Sequence, residues 1–348
     1  MSLARSCSLL WDALRGQYGS IGLYSAVQRL FVAFGVTAGP ACLLVDAPFG
    51  RFLGDSTWTI KVNGRIGWLL MEIVSPLSFL YFLSTPPSTS PFAFPAPSFA
   101  RILSAFSSLP AARRVLAVFY LVHYANRSIV SELRNPGRAA MDLVIPVISA
   151  LFNAANGGTI GLYLGGGLAG AHPESGLRPN SASNALFAVG AALWLAGFAS
   201  NIYHDNVLFR LKAEKQAEGE RQAKKRDSPS SPHDAKSRYA IPQGGLYRFL
   251  SHPSYTSEWV EWSGFTLCTL ALAPAPFPPS RSSPSLAALP ALLRPLQAWY
   301  LQPPALFVLQ EISAMLPRAR SGHRWYRKTF GAEWEEKGAK WIVLPGLY

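Results

Sequence analysis

The chain has 348 residues, 49% of them hydrophobic and 15% charged, with a mean hydropathy of +0.16. Soluble domains carry about 25% charged residues, so the composition argues for a membrane protein. The net charge is +13, but the basic residues lie between and after apolar runs, which speaks for membrane topology rather than nucleic-acid binding. Cys7, Cys42 and Cys268 are too widely spaced for a CxxC motif or a disulfide framework.

The opening "MSLARSCSLLWDALRG" is too polar for a secretory signal peptide, and residues 1–19 are expected to form a separate N-terminal segment. Seven apolar segments then approach the roughly 20 residues that a bilayer demands. They are 20–46, 66–84, 111–130, 139–165, 184–209, 246–274 and 286–316. This predicts an all-α polytopic membrane protein, with about seven transmembrane helices in one bundle spanning residues 20–348. "STPPSTSPFAFPAP" (84–97), "GGGLAGAHPESGLRPNSAS" (165–183) and "APAPFPPSRSSPS" (273–285) read as loops. The charged insert 211–238 reads as a short helical extension followed by disorder.

Positive charge orients the spans. Arg51, Lys61 and Arg65, then Arg127, Arg134 and Arg138, then the insert, then the segment 317–348 all fall on one side, predicted to be cytosolic. Arg113 and Arg114 run against this pattern.

Ionisable residues inside apolar spans are costly and are by default functional candidates. "GRIGWLLMEIVSPLSFLYF" carries Glu72, and "FYLVHYANRSIVSEL" carries His123, Tyr124, Asn126 and Arg127. "AGFASNIYHDNVLFRLK" carries Asn201, His204, Asp205 and Asn206. "LSHPSYTSEWVEW" (250–262) puts Glu258 and Glu261 three apart, on one helical face. "GHRWYRKTF" adds His323 and Tyr326.

Each has a plainer reading. Glu72 could snorkel to the interface, Tyr124 could belong to an aromatic belt, and His123 could be a packed core histidine. Glu258 and Glu261 sit near a helix start, where carboxylates are comfortable. The "GHRWYRKTF" segment could bind lipid head groups. Asn201 and Asp205 are harder to explain structurally, because an acid near a helix C-terminus opposes the dipole.

The sequence has no HxxxH, HExxH or paired Glu-x-x-His motif, so no metal site is expected. "GGTIGLYLGGG" (157–167) lies in a span without a preceding strand, which makes it a packing or turn feature and excludes a Rossmann domain. Together the candidates predict a cytosol-facing pocket open to lipid at its deep end. Arginines suit phosphates, and Asn, Asp and Glu suit hydroxyls and amides, a set that a dinucleotide needs. Glu72 and Tyr124 would meet an apolar substrate at the deep end.

These residues resemble the steroid 5α-reductase family of membrane enzymes over about residues 48–348. The likeness rests on "PFGRF", "GWLLMEIVSP", "HYANR", "LWLAGFASNIYHDNVLFRL", "YAIPQGGLYRFLSHPSYTSEWVEWSGF" and "RARSGHRWYRKTFGAEWEEKGAKWIVLPGLY". It implies a seven-helix fold that buries NADPH and reduces the 4,5 double bond of a 3-oxo-4-ene steroid or sterol-like lipid. It assigns Glu72 and Tyr124 to the substrate ketone. A carboxyl and a phenol can both donate to one oxygen, and burial favours the protonated carboxyl that this requires. It assigns Asn201, Asp205, Tyr239, Glu258, His323 and Tyr326 to the cofactor pocket, Arg127 and Arg138 to the vicinity of its phosphates, and Asn156 to the same cavity.

The chain departs from the animal enzymes at Ala240, where those carry arginine, and Lys212 or Arg238 is the expected substitute. Ser254 stands where an amide is expected, and the 211–238 insert is longer than in animal members. Two other enzyme readings stay open. One is an enoyl-thioester or polyprenol-type reductase. The other is an S-adenosylmethionine-dependent methyltransferase of the isoprenylcysteine type, which the His-Pro-x-Tyr run resembles. The expected partners are the enone substrate and membrane lipids, not nucleic acid, and the expected location is the endoplasmic reticulum membrane.

Overall fold

The computed structural model describes residues 20–44, 60–85, 95–165, 181–226, 239–272 and 302–346. The 1–19 segment, the "PFGRF" motif, most of the loops, Arg238 and the first half of the expected seventh span lie outside the described residues.

Helices dominate. They are α1 (Ser20–Leu44), α2 (Gly64–Leu83), α3 (Phe99–Ser108), α4 (Ala111–Ala125), α5 (Ser131–Arg134), α6 (Val144–Leu164), α7 (Ser181–Arg226), α8 (Pro253–Ala271), α9 (Pro303–Phe330) and α10 (Ala332–Lys337). A π-helical turn, Asn126–Val130, carries α4 into α5, and a 3-10 turn, Gly245–Arg248, precedes α8. The all-α expectation needs one correction. Strands β1 (Lys61–Val62) and β2 (Met141–Asp142) form an antiparallel ribbon with Lys61 opposite Asp142. This ribbon ties the entry of α2 to the entry of α6.

Several boundaries also move. A separate helix, α3, lies between the expected loop (84–97) and the expected third span (111–130), and α4 ends at Ala125. The fifth span does not stop at residue 209 but continues to Arg226 as the predicted helical extension. Asp205 is therefore mid-helix, and the helix-dipole argument for it falls. Helix α9 likewise runs past residue 317, into the expected tail segment.

Among the described residues, three helices are long and apolar enough to cross a bilayer: Gly64–Leu83, Val144–Leu164 and the stretch Ser181–Gln222. The apolar run Leu30–Leu44 in α1 is shorter. Helix α2 starts on an Asn63 cap, whose side chain accepts from the backbone N–H groups of Arg65 (3.0 Å) and Ile66 (3.2 Å). Helix α8 starts with Pro253, a residue pre-set for the first helical turn.

Small residues decide how the helices meet. Gly157, Gly161 and Gly165 are each four apart, and a Cβ on them would overlap the carbonyl oxygens of Ser75, Phe79 and Leu83, also four apart. The glycine-rich stretch from Gly157 to Gly165 is thus the surface on which α2 lies against α6. Gly190 and Gly264 face each other in the same way, as do Gly197 and the backbone of Glu261, and they seat α8 on α7. The core between these pairs holds Phe79, Leu116, Tyr120, Ile160, Trp194, Trp262 and Phe265. Trp194 stacks on Phe119 at 4.0 Å and on Phe198 at 5.0 Å.

Arg113 and Arg114 lose their topological meaning in this fold. Buried Arg113 donates to the carbonyl of Tyr163 at 2.7 Å, at the C-terminal end of α6, where a cation complements the dipole. Arg114 donates to the carbonyls of Ser107 (2.7 Å) and Leu109 (3.0 Å), bracing the α3–α4 turn.

Replacing Gly161 by valine forces α2 and α6 apart. The expected loss is about 1–3 kcal/mol of stability, read as a lower midpoint in thermal unfolding of the detergent-solubilised protein. Gly219, whose added Cβ would meet nothing within 4 Å, should accept alanine without loss.

Candidate active site

Arg127 sits in the π-helical turn that interrupts α4, one helical turn beyond Tyr124. Such turns change the side-chain register locally and are frequent at functional sites. Its backbone carbonyl accepts from the indole N–H of Trp68 at 3.2 Å, and its guanidinium lies 5.1 Å from the centroid of that indole. The guanidinium Nε reaches Glu72 Oε1 at 3.3 Å, and Nη1 reaches Glu258 Oε2 at 3.2 Å. Glu72 and Glu258 are both buried, so one cation serves two carboxylates drawn from α2 and α8.

The network extends on both sides. Asn201 of α7 donates through Nδ2 to the Ser254 carbonyl at 3.1 Å and lies 3.5 Å from Glu258 Oε2. Ser254 Oγ donates to Asp205 Oδ1 at 2.8 Å. His123 Nδ1 donates to Glu261 Oε1 at 2.7 Å, while its Nε2 stands 4.0 Å from Glu258 Oε1. Glu258 and Glu261 thus share a helical face, as their spacing predicts, and His123 spans both. Glu311 of α9 lies within electrostatic reach of Glu258, Arg127 and Glu72.

Tyr124 is buried next to this network. Its phenol oxygen accepts from Asn156 Nδ2 of α6 at 3.1 Å. Its ring leans on Tyr120, 4.8 Å away, whose own hydroxyl bonds Ser75 Oγ at 2.6 Å. Glu72 lies within electrostatic reach of the phenol.

Arg138 ion-pairs with Glu132 and lies 3.6 Å from the centroid of the Trp68 ring, so Trp68 joins both arginines. Lys212, the expected substitute for a missing arginine at Ala240, donates to the Gly137 carbonyl and to Asn135 Oδ1 at 3.4 Å. It braces the α5–β2 connection.

A cavity of about 150 Å³ opens beside Asp205 and Ser254, bounded also by Tyr247, Ser251, His252 and Tyr326. Ser251 Oγ is hydrogen-bonded to His252 Nδ1 (2.9 Å) and His323 Nδ1 (3.0 Å). Burial and the Arg327 charge hold the His323 imidazole below its usual pKa. His204 Nε2 accepts from the backbone N–H of Leu246 at 3.0 Å and so anchors the "IPQGGL" loop, whose Gly244 and Gly245 adopt φ of 91° and 52°.

The sequence candidates therefore fall into connected groups. Glu72, Arg127, Asn201 and Glu258 form one chain of contacts, Tyr124 pairs with Asn156, and Asp205 and Tyr326 line one cavity. His323 supports Ser251. Tyr239 is one step removed, edge-on to Trp325 with centroids 4.9 Å apart. Trp68, Glu132 and Glu311 are additions. Glu311 follows Gln310 in a largely apolar segment, which marks a carboxylate there as a candidate. Trp68 has no such mark in one sequence.

The fold and this site define an integral membrane protein of helices with a buried polar network in its apolar interior. The family model described as 3-oxo-5-alpha-steroid 4-dehydrogenase matches residues 230–278. An uncharacterized protein of Schizosaccharomyces pombe is 36% identical over 317 residues, covering 88% of this chain and 94% of that one. The rat 3-oxo-5-alpha-steroid 4-dehydrogenase 1 is 27% identical over 287 residues, 82% of each chain. The steroid 5-alpha-reductase DET2 of Arabidopsis thaliana is 25% identical over 323 residues, 90% of this chain and 94% of that one. The chain belongs to the steroid 5α-reductase family, and it is an oxidoreductase of the class that acts on CH–CH groups.

Removing the shared cation tests the network. Arg127→Met leaves two carboxylates buried without a counter-charge and should cost about 3–5 kcal/mol. Arg127→Lys keeps the charge but not the fork that reaches both carboxylates, so its loss should be intermediate. Thermal unfolding in detergent, with Glu72→Gln added to the Arg127→Met background to restore part of the loss, provides the check.

Proposed function

We propose that the chain reduces the carbon–carbon double bond of an enone, most simply a 3-oxo-4-ene steroid or a sterol-like lipid, with NADPH as hydride donor. The observation that carries this reading is the buried row Glu72–Arg127–Glu258–Asn201, contributed by four different segments, with Tyr124 beside its Glu72 end. A methyl transfer has no use for paired donors at a ketone. The fit to a nicotinamide dinucleotide rests on the donor set. Glu258 and Asp205 accept from amides and hydroxyls, Asn201 and Ser254 donate, and Arg127 and Arg138 supply cations. Asn201, Asp205, Glu258, His323 and Tyr326 would hold the cofactor, with Tyr239 at the edge of the same aromatic wall.

When bound, NADPH would supply a hydride to the β-carbon of the enone. Negative charge then grows on the ketone oxygen, and this chain's task is to meet it. In this reading Glu72 and Tyr124 donate to that oxygen, as in an oxyanion hole. Burying two carboxylates against one guanidinium leaves a surplus negative charge, and a proton on one carboxyl relieves it. A water or nearby acid completes the reaction by protonating the α-carbon.

The same proposal includes seven spans, a pocket facing the cytosol and a cytosolic C-terminus in the endoplasmic reticulum membrane. Support comes from the basic residues that gather on one side of the spans.

Purified protein with NADPH and a 3-oxo-4-ene steroid should oxidise the nicotinamide, followed by absorbance, and Glu72→Gln should lower the turnover at least 100-fold. No oxidation with any enone, or full activity in the variant, would sink the mechanism. A thioester substrate in the same assay addresses the enoyl-thioester reading, and S-adenosylmethionine with a prenylated cysteine addresses methyl transfer.

A further inference from the structure

The Asn156 side chain is fully buried on α6, against the helix that carries Glu72. Its Nδ2 donates to the Tyr124 phenol oxygen at 3.1 Å, and among the described residues its Oδ1 has no partner. The bond to Tyr124 is therefore what orients this amide. A neighbouring residue fixes the backbone beside it: an added Cβ on Gly157 would overlap the Ser75 carbonyl, so Asn156 cannot drift along α2.

We infer that Asn156 is a positioning residue for Tyr124 rather than a contact of the cofactor. This rests on the reductase reading above. A phenol has one proton and two acceptor sites. With Asn156 occupying an acceptor site, the Tyr124 proton is turned away from the Asn156 amide and is available to an acceptor on another side, in this reading the substrate ketone. Ser75 and Tyr120 also lie within hydrogen-bonding reach of the Tyr124 phenol and bond each other at 2.6 Å, so the substrate ketone competes with this pair for the Tyr124 proton. As charge grows on the ketone oxygen, the O–H bond of Tyr124 polarises and its oxygen becomes more negative. The Asn156 N–H then strengthens as a donor, so its effect is larger in the transition state than in the ground state.

Two isosteric variants test this. Asn156→Leu deletes the donor. Asn156→Asp keeps the shape but offers an acceptor, which should turn the Tyr124 proton inward. Turnover at saturating enone and NADPH should fall about tenfold in Asn156→Leu and further in Asn156→Asp. NADPH affinity, read from nicotinamide fluorescence without substrate, should stay within about twofold of the parent. In a Tyr124→Phe background, Asn156→Leu should cost little more, and thermal midpoints of the same four proteins should show the coupling independently of activity. An Asn156→Leu protein with unchanged turnover and weakened NADPH binding, or with an effect that multiplies fully with Tyr124→Phe, overturns the inference alone. Absence of enone turnover in the parent protein overturns it together with the reductase reading.

Discussion

One guanidinium facing two buried carboxylates is the constraint on which the rest depends. Arg127 cannot leave Glu72 and Glu258 without exposing each to an apolar interior, where an unpaired charge is far more costly than in water. The three elements that carry these residues are therefore held together by electrostatics as well as by packing. The π-helical turn at Asn126–Val130 is where α4 departs from regular helix, and Arg127 lies within it. Trp68 completes the arrangement, bonding the Arg127 carbonyl and covering the guanidiniums of both Arg127 and Arg138.

A network of this kind needs rigid walls, and the glycines supply them. Where α2 meets α6, three glycines let the backbones touch, so Ser75, Phe79 and Leu83 lie directly over α6. The same face of α2 carries Glu72, one turn before Ser75 and Pro76. Where α7 meets α8, Gly197 sits against the backbone of Glu261, so Asn201, one turn further along α7, comes level with Glu258. Side-chain chemistry at the site is thus registered by backbone contacts a turn away.

Most of this site was legible in the sequence because a membrane makes polar residues conspicuous. Glu72, Arg127, Asn201, Asp205 and Glu258 stand out in apolar runs, and the desolvation cost that marks them as candidates is the same cost that forces them to pair. What the sequence left open was who pairs with whom. His123 reads equally well as a core histidine until its imidazole is seen on Glu261, and Asn156 is placed beside Tyr124 only by the packing of α6 on α4. Helix ends were the weaker part. The charged insert reads as a helical extension, but apolar runs do not show that the span and this extension form one unbroken helix to Arg226. Nor do they reveal the two-residue ribbon, which is too short to leave a periodic pattern.

Arg113 and Arg127 show how one residue type in similar surroundings comes to serve two ends. Both lie in or just after α4 and both are drawn toward backbone or carboxylate oxygens in an apolar interior. Arg113 meets the carbonyls that end α6, a neutral set of acceptors that its single charge satisfies locally. Arg127 meets two carboxylates, with a third, Glu311, in reach, so its charge is outnumbered. A helix end satisfied by one arginine is complete and has nothing further to bind. A cation outnumbered by carboxylates is not, and the surplus can be met by a proton or by a ligand that brings donors of its own. The two arginines thus differ in the charges that face them: neutral carbonyls for Arg113, carboxylates for Arg127.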